Sequence, residues 1–203
     1  MSPRPQIAHL RRQEILEAAA EVIRDRGLQA TRIADVAERM GTSAPAVLYY
    51  FESKGELLSE ALVAAEEGFY AEFEQQLEVM KSASEGLVML VDACLTEGDY
   101  DYALWIELWP RALREPELAR TREQLDARWL ETIATIIRRG QADGKFRDAD
   151  AGDVALLLGS LLDGLAVQVT LNDPAVSVER ARQLCLELLE HQLGCELTGA
   201  GVT

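Results

Sequence analysis

Apolar residues recur at three- and four-residue steps along most of the chain, which is the period of an amphipathic helix. No stretch of alternating β-branched residues is long enough to predict a strand. In residues 11–26 the apolar stripe ends just before Gly27, which stands where a helix C-cap belongs. We therefore expect an all-α protein of about nine helices, the first of which covers residues 11–26.

Two short helices are predicted next. Thr31 can accept hydrogen bonds from the free N–H groups that begin the second helix, and Gly41 ends it. Ser43 and Pro45 open the third helix, since serine caps well and proline has no N–H to lose in the first turn. The expected inward-facing residues of the two helices are Ile33, Val36, Ala37, Met40, Val47 and Phe51. Two short helices joined by a glycine turn are the layout of a helix-turn-helix, whose second helix enters the DNA major groove.

Six longer helices are predicted after the third. Their expected ranges are 55–80, 85–97, 100–114, 117–142, 150–171 and 178–193. The first of them is long enough to connect a DNA-binding part rigidly to the rest of the chain. Asp148, Asp150 and Asp153 lack the spacing of a calcium loop and are better explained as a cap of the helix that begins there.

The formal charge of −15 is distributed unevenly along the sequence. Residues 1–55 carry eight basic and seven acidic residues, a net charge of +1, whereas residues 56–203 carry 12 basic and 28 acidic residues, a net charge of −16. Arg4, Arg11 and Arg12 precede the first carboxylate, so a locally positive face can exist beside an acidic body. The acidic composition therefore does not exclude DNA as a partner.

Cysteine usage and hydropathy favour a cytoplasmic protein. The three cysteines, Cys94, Cys185 and Cys195, have no paired or metal-binding spacing, and the first twenty residues contain no apolar signal core. The most apolar segment, 154–171, contains Asp163, whose carboxylate would be stranded in lipid. We expect no membrane span, no metal and no cofactor, and we interpret this segment as a buried interface helix.

Two adjacent tyrosines and a lysine stand out on the predicted DNA-facing side. The hydroxyl groups of Tyr49 and Tyr50 need polar partners once they are covered, and Lys54 lies at a helix end. Hydroxyl and ammonium groups in these positions can bond phosphate oxygens and fix the register of a helix on DNA. The alternative is that the tyrosines are half-buried structural aromatics and that Lys54 is a solvated surface residue.

Three consecutive segments, RRQEILEAAAEVIRDRG, TRIADVAERMG and TSAPAVLYYFESKGELL, together resemble the DNA-binding domain of the tetracycline-repressor (TetR/AcrR) family. The resemblance implies phosphate contacts by Thr31, Tyr49, Tyr50 and Lys54, and we add Arg11 from the positive face. The edge nearest the bases would comprise Thr42, Ser43, Ala44, Pro45 and Ala46. Leu48 departs from the family, many members of which have a further tyrosine there.

The C-terminal part, with WIELWPRALREPELA, ADGKF and LLDGL, is also similar to the choline-responsive betaine regulators of this family. The resemblance divides the chain into a helix-turn-helix domain, 1–55, and a ligand-binding and dimerisation domain, 56–203. The expected ligand-binding residues are Tyr102, Trp105, Trp109, Trp129 and Asp163, with Tyr100 and Glu107 nearby. Aromatic faces beside a carboxylate suit a cationic effector, although aromatic residues at helical spacing are more often core.

The last two helices are too apolar to face water on all sides. The resemblance implies a four-helix homodimer interface, and a two-headed protein suits a palindromic double-stranded operator. The expected interface residues are Leu157, Leu161, Leu165, Leu184 and Leu188. The alternative is that these leucines belong to the core of one protomer.

The sequence predicts a DNA-binding repressor that a small-molecule effector releases from its operator. A small helical enzyme is a poor alternative, because the only histidines are His9 and His191 and no catalytic or phosphate-binding motif is present. A helical adaptor that binds only protein would leave Tyr49, Tyr50 and Lys54 without a role.

Overall fold

A computed structural model describes residues 4–80, 82–95 and 102–197, and the surroundings of their side chains from residue 11 onward except at 67–69, 72, 74 and 78. The described residues form nine helices and no strand, which confirms the predicted all-α class. The helices are α1 (Arg4–Arg26), α2 (Ile33–Arg39), α3 (Ala44–Leu48), α4 (Lys54–Val79), α5 (Ala83–Leu95), α6 (Tyr102–Ala112), α7 (Pro116–Ala142), α8 (Ala151–Thr170) and α9 (Val178–Leu193). The six longer helices begin and end within two residues of their predicted ranges, whereas α1 begins seven residues earlier than predicted.

Helices α1 to α3 pack through the apolar stripes that the sequence predicts. Val47 and Phe51 are buried, as are Val36 and Ala37 on α2. Gly41 has a φ of 62°, and the N–H of Thr42 bonds the Ala37 carbonyl at 2.8 Å, so the turn between α2 and α3 closes tightly. The predicted helix-turn-helix geometry therefore follows from the buried stripes and the glycine between them.

The start of α2 differs from the prediction. Arg32 occupies the N-cap position, and its N–H donates to the Asp35 carboxylate at 3.1 Å. Thr31 is only 1% exposed, and its hydroxyl donates to the Gly27 carbonyl at 2.7 Å. The prediction that Thr31 caps α2 is therefore wrong, because its hydroxyl turns back to the end of α1.

The chain divides into two compact units, which we call the head unit and the body unit. The head unit comprises Met1–Phe73 and Leu104–Leu125, and the body unit comprises Glu74–Ala103 and Asp126–Thr203. The division differs from the sequence boundary at residue 55 because most of α4, most of α6 and the start of α7 cluster with α1 to α3. The assignment of DNA binding to 1–55 and of ligand binding and dimerisation to 56–203 remains a prediction about roles.

In the body unit, α8 packs against α9 and α5. The Asp150 carboxylate caps α8 by accepting the Asp153 N–H at 3.0 Å, which confirms the cap predicted there. By length and a mean hydropathy of 1.5, α8 could cross a membrane, but a core helix of a water-soluble protein meets the same criteria. One face of α8 is buried against its neighbours, as expected for such a core helix.

Arg139 of α7 closes the C-terminal end of α4. Its guanidinium donates to the carbonyls of Leu77 and Met80 at 3.2 and 3.1 Å, two of the carbonyls that a helix end leaves without intrahelical partners. This end of α4 is therefore held by a side chain of the body unit.

Candidate functional site

Helix α3 presents the predicted base-facing edge on its open side. Ser43 and Pro45 are exposed, and Thr42, Ala44 and Ala46 are half-buried. The edge carries methyl groups and two hydroxyls but none of the bidentate donors that Arg, Asn or Gln offer to bases. It is therefore suited to contacts with thymine methyl groups and to the reading of DNA shape.

Two tyrosines follow α3 directly. Tyr49 is 83% exposed, whereas Tyr50 is half-buried. Their rings meet edge to face, with centroids 5.3 Å apart and planes at 86°. The inner ring thus supports the outer one and limits its orientations.

Lys54 is the first residue of α4 and is partly buried. Desolvation lowers the pKa of its amine below the usual 10.5, and the nearby charge of Arg111 lowers the pKa further. An anion at this position would compensate both effects, and the positive end of the α4 dipole favours an anion as well. The setting of Lys54 therefore suits a phosphate contact.

The turn that leads from α3 to Lys54 is held by side-chain hydrogen bonds. Ser53 accepts the Glu56 N–H at 3.0 Å and donates to the Glu117 carboxylate at 3.3 Å. Glu56 in turn accepts the N–H of Glu52. Lys54 thus stands in a turn whose backbone is fixed on both sides.

The predicted phosphate contacts at Arg11 and Thr31 are placed differently. Arg11 is exposed and forms an ion pair of 2.7 Å with Glu14, from which a phosphate could draw it. Thr31 is buried and bonded to Gly27, so it cannot reach a phosphate, and this contact is not proposed further. The side chain of Arg4 lies outside the described residues.

Arg12 points into the head unit rather than toward solvent. Its guanidinium donates to the Tyr50 carbonyl and to the carboxylates of Glu56 and Glu60, the latter two at 3.2 and 2.5 Å. It also lies 4.1 Å from the centroid of the Phe51 ring. The expectation that Arg12 contributes to the positive face is wrong, because two acids and a carbonyl bind it.

The spacing of residues on α1 predicts that Arg12 points inward, but this was overlooked because Arg12 was counted as free positive charge. Arg12, Ile15, Ala19 and Val22 follow helical spacing, so Arg12 belongs to the buried stripe of α1. Glu56 and Glu60 are four residues apart and share one face of α4. An arginine within the apolar stripe of a helix indicates an acceptor group on the segment that packs against that helix.

A second candidate site lies in the body unit. The Tyr102 hydroxyl donates to the Asp163 carboxylate at 3.0 Å, which joins α6 to α8. Burial raises the pKa of Asp163 above its usual 3.8; the Tyr102 hydrogen bond opposes this shift, and the charge of Asp126 adds to it. The pKa of Tyr102 is also raised, mainly by burial and then by Cys94 and Asp163. Asp163 is therefore a partly buried carboxylate, and Asp126 adds negative potential at its position.

Trp129 lies on the same side of this pair. A Cβ placed on Gly159 would lie 3.5 Å from the indole Nε1 of Trp129, so the indole packs against α8 one turn before Asp163. Asp126 and Trp129 are likewise one turn apart on α7. Asp126 and Trp129 of α7 therefore lie near the part of α8 that carries Asp163, to which Tyr102 is bonded. Asp126 was not predicted from the sequence.

The other predicted ligand residues lie in the head unit. The rings of Trp105 and Trp109 are 6.5 Å apart and tilted by 45°. Glu107, predicted near the ligand, instead accepts the N–H of Gln29 at 2.8 Å, because α6 lies against the loop between α1 and α2. That expectation for Glu107 is wrong. Tyr100 lies outside the described residues.

One face of α8 exposes leucines. Leu157 is 48% exposed and Leu161 is half-buried, and a Cβ at Gly164 would meet open space. On α9, Leu184 and Leu188 are half-buried. Leu165 differs from these residues, because its side chain is already buried inside the protomer and is not available to a partner.

Among the residues that the structure describes, no group of three or more His, Cys, Asp or Glu side chains could hold a metal ion. The carboxylates near Asp163 therefore do not form a metal centre of that size within the described part of the chain.

Two family profiles match the chain. Residues 15–61 match the bacterial regulatory proteins of the tetR family, and residues 83–194 match the C-terminal domain of the BetI-type transcriptional repressors. The first range contains α2, α3 and the start of α4, and the second contains the candidate site around Asp163.

Relatives align over nearly the whole length. The transcriptional regulator BetI of Cronobacter sakazakii is 26% identical over 199 residues, which cover 94% of this chain and 95% of the relative. A transcriptional regulator of Saccharomonospora viridis, solved in complex with choline, is 34% identical with a TM-score of 0.77 and covers 91% of this chain and 98% of its own. A TetR regulator of Haloarcula marismortui is 25% identical with a TM-score of 0.76, over 90% and 97% of the two chains. The chain therefore belongs to the TetR family of DNA-binding transcriptional regulators, which are not enzymes, and its C-terminal domain is of the BetI type.

Proposed function

We propose that this regulator is a cytoplasmic homodimeric repressor that leaves a palindromic operator when a quaternary ammonium compound such as choline binds its body unit. The observation that carries the effector proposal is the partly buried Tyr102–Asp163 pair within the BetI-type domain. The Saccharomonospora viridis relative, which holds choline, supports it.

The DNA contacts are proposed to divide into two kinds. Lys54, Tyr49, Tyr50 and Arg11 bond phosphate oxygens and set the register of α3 in the major groove. The base-facing edge, defined as Thr42, Ser43, Ala44, Pro45 and Ala46, selects the sequence. The exposure of Tyr49 and the partial burial of Lys54 support this division, because one side chain is free to reach out and the other is held in place.

The effector site is proposed to hold the ammonium group near the Asp163 carboxylate and against the faces of Tyr102 and Trp129. Burial has raised the pKa of Asp163, so its ionised form is poorly solvated there and a cation would stabilise it. Aromatic rings attract a quaternary ammonium without requiring hydrogen-bond donors. Trp105 and Trp109 on α6 stay predicted ligand residues.

The dimer is proposed to form through α8 and α9. Leu157, Leu161, Leu184 and Leu188 leave apolar surface uncovered in one protomer. A twofold axis beside these helices would pair each surface with its copy, as isologous interfaces do.

The test compares choline with 3,3-dimethylbutan-1-ol, in which a carbon atom replaces the nitrogen and removes the charge. Titration calorimetry should show binding of choline and much weaker binding of the neutral isostere, since only the cation gains from Asp163. Choline should also release the protein from DNA that flanks its own gene in a gel-shift assay. Equal binding of both compounds, or release of DNA by neither, would contradict the proposal.

A further inference from the structure

Arg12 joins three parts of the head unit at one point. Its guanidinium contacts Tyr50 and Phe51 just after α3, and Glu56 and Glu60 on the first turns of α4. Arginine is suited to this position because its planar fork can donate in several directions while its face lies on an aromatic ring.

The residues that Arg12 holds border the phosphate-binding turn, defined here as Tyr50–Lys54. The Tyr50 carbonyl is fixed by Arg12, and Glu56, which Arg12 also binds, accepts the N–H of Glu52. The Glu56 N–H is in turn bonded to Ser53 at 3.0 Å. The backbone of the turn is therefore connected to Arg12 at its start directly and at its end through Glu56.

We propose that Arg12 is a positioning residue for DNA binding, which presets the phosphate-binding turn so that Tyr50 and Lys54 meet phosphates without rearrangement. The inference rests on the proposed phosphate contacts of this turn. A preset turn does not have to be ordered when DNA binds, so less of the interaction free energy is lost to conformational entropy. Arg12 itself contacts no phosphate, because Glu56 and Glu60 neutralise its charge.

The experiment uses the full-length dimer and three matched substitutions on α1. Arg12→Met removes the proposed positioning residue, Arg11→Met removes a proposed phosphate contact, and Arg24→Met changes an exposed arginine outside the site. Operator affinity is measured by fluorescence anisotropy over a range of salt concentrations. The temperature is set where circular dichroism shows every protein fully folded, so that a change in stability alone cannot change affinity.

The expected results separate positioning from direct contact. Arg12→Met should weaken operator binding by about tenfold or more, as the loss of charge-assisted hydrogen bonds typically does, with an unchanged salt slope. Arg11→Met should make the log–log salt slope less steep by about 0.9, the value for one phosphate contact. Arg24→Met should bind like the parent. A reduced salt slope in Arg12→Met, or parent-like affinity, would overturn the proposal.

A triple variant tests whether Arg12 acts only by neutralising Glu56 and Glu60. Arg12→Met leaves two carboxylates near the DNA, whereas Arg12→Met/Glu56→Gln/Glu60→Gln removes their charge and keeps a carbonyl acceptor for Glu52. If positioning matters, the triple variant stays weak, and if it regains parent affinity the proposal is wrong. Should Arg12→Met not fold, Arg12→Lys, which keeps the charge but loses the fork, should show a smaller loss with the same slope. Failure of the parent to bind any operator would instead overturn the proposed function.

Discussion

The two best-placed of the proposed phosphate contacts differ in how firmly the protein holds them. Tyr49 is almost fully exposed and is supported on one side by the ring of Tyr50. Lys54 is partly buried, and the pKa of its amine is lowered by desolvation first and then by the charges of Arg111 and Arg32, while Glu115 raises it. We therefore expect Lys54 to contribute more to DNA affinity than Tyr49, since its side chain has less freedom to lose on binding.

The first prediction separates affinity from sequence preference. Lys54→Ala and Tyr49→Phe should weaken binding by similar factors on matched and mismatched operators, because both residues are proposed to contact only phosphates. Changes at Ala44 or Ala46 should instead alter which sequence is preferred. Selection of operators from a randomised pool measures both effects. A Lys54→Ala protein with altered preference and intact affinity would reverse the assigned roles.

The second prediction concerns pH and the effector. Burial raises the pKa of Asp163, so its charged form is lost on acidification at a higher pH than for an ordinary aspartate, whose pKa is 3.8. Only the charged form attracts a cation, so choline affinity should be full above the raised pKa and should fall as the pH drops through it. Asp126 adds negative potential at the same carboxylate. The Tyr102 hydroxyl, whose pKa is raised, and the Cys185 thiol, whose pKa burial raises to about 12, both stay neutral as the pH falls.

Calorimetry at a series of pH values that extends downward from about pH 8 through the raised pKa of Asp163 checks this dependence. Asp163→Asn should bind choline weakly at every pH and lose most of the dependence. Affinity that rises on acidification, or a parent-like profile in Asp163→Asn, would show that another group holds the ammonium.

At this scale the sequence predicted residue types better than side-chain directions. The Asp150 cap was predicted from a local rule and is confirmed, whereas the phosphate contacts predicted for Tyr49 and Lys54 remain predictions. Arg12 was misread because the direction of its side chain depends on partners distant in sequence, whereas the Thr31 hydroxyl turns back to the Gly27 carbonyl only four residues earlier. The Tyr50 carbonyl and Glu56, which hold Arg12, are 38 and 44 residues away.

At the scale of elements, helical periodicity predicted the ends of the six longer helices that follow α3 within two residues, whereas the start of α1 was predicted seven residues too late. The apolar stripes, prolines and glycines that set these ends are local signals. The clustering of most of α6 with the DNA-binding helices was not predicted, because it depends on which helices pack together. The contact of Glu107 with the Gln29 N–H is one such long-range interaction.

The third prediction tests the exposed face of α8. Leu161→Glu or Leu188→Glu should dissociate the dimer, since a charge without a partner in a dry interface costs on the order of several kcal/mol. Specific operator binding should be lost with it, because one protomer reads only one half-site. Sedimentation velocity measures the oligomeric state.

Leu113→Glu provides the matched control for this experiment. Leu113 is 84% exposed and follows α6, away from α8 and α9 in sequence, so a glutamate there should leave the dimer intact. If Leu161→Glu remains dimeric and holds its operator, the leucines of α8 belong to the protomer or to another surface.

At the scale of the whole molecule, charge is distributed unevenly along the chain. Residues 1–55 are nearly neutral, whereas residues 56–203 carry a net charge of −16. Much of the positive charge in the first part is already paired, as in Arg26 with Asp35 and Arg39 with Glu21. The acidic part should therefore repel DNA more strongly than the first part does.

The fourth prediction is that effector and operator weaken each other equally. Coupling free energies of this kind are typically about 1 to 3 kcal/mol, which corresponds to roughly 5- to 150-fold in affinity. Saturating operator should therefore lower choline affinity by the same factor by which choline lowers operator affinity. Anisotropy with and without choline, and tryptophan fluorescence with and without operator, give the two factors. Tight choline binding with no change in operator affinity would contradict a coupled switch.

The contact between Gly27 and Glu107 has a consequence for how this sequence can evolve. Gly27 has a φ of 80°, and a Cβ there would lie 2.5 Å from a carboxylate oxygen of Glu107. The backbone conformation at Gly27 therefore disfavours other side chains. The close approach to Glu107 could be relieved, because its carboxylate is the far end of a flexible side chain, but moving that carboxylate would break its hydrogen bond with the Gln29 N–H. In a mutational scan scored by repression, position 27 should therefore tolerate less variation than exposed positions whose backbone φ is negative.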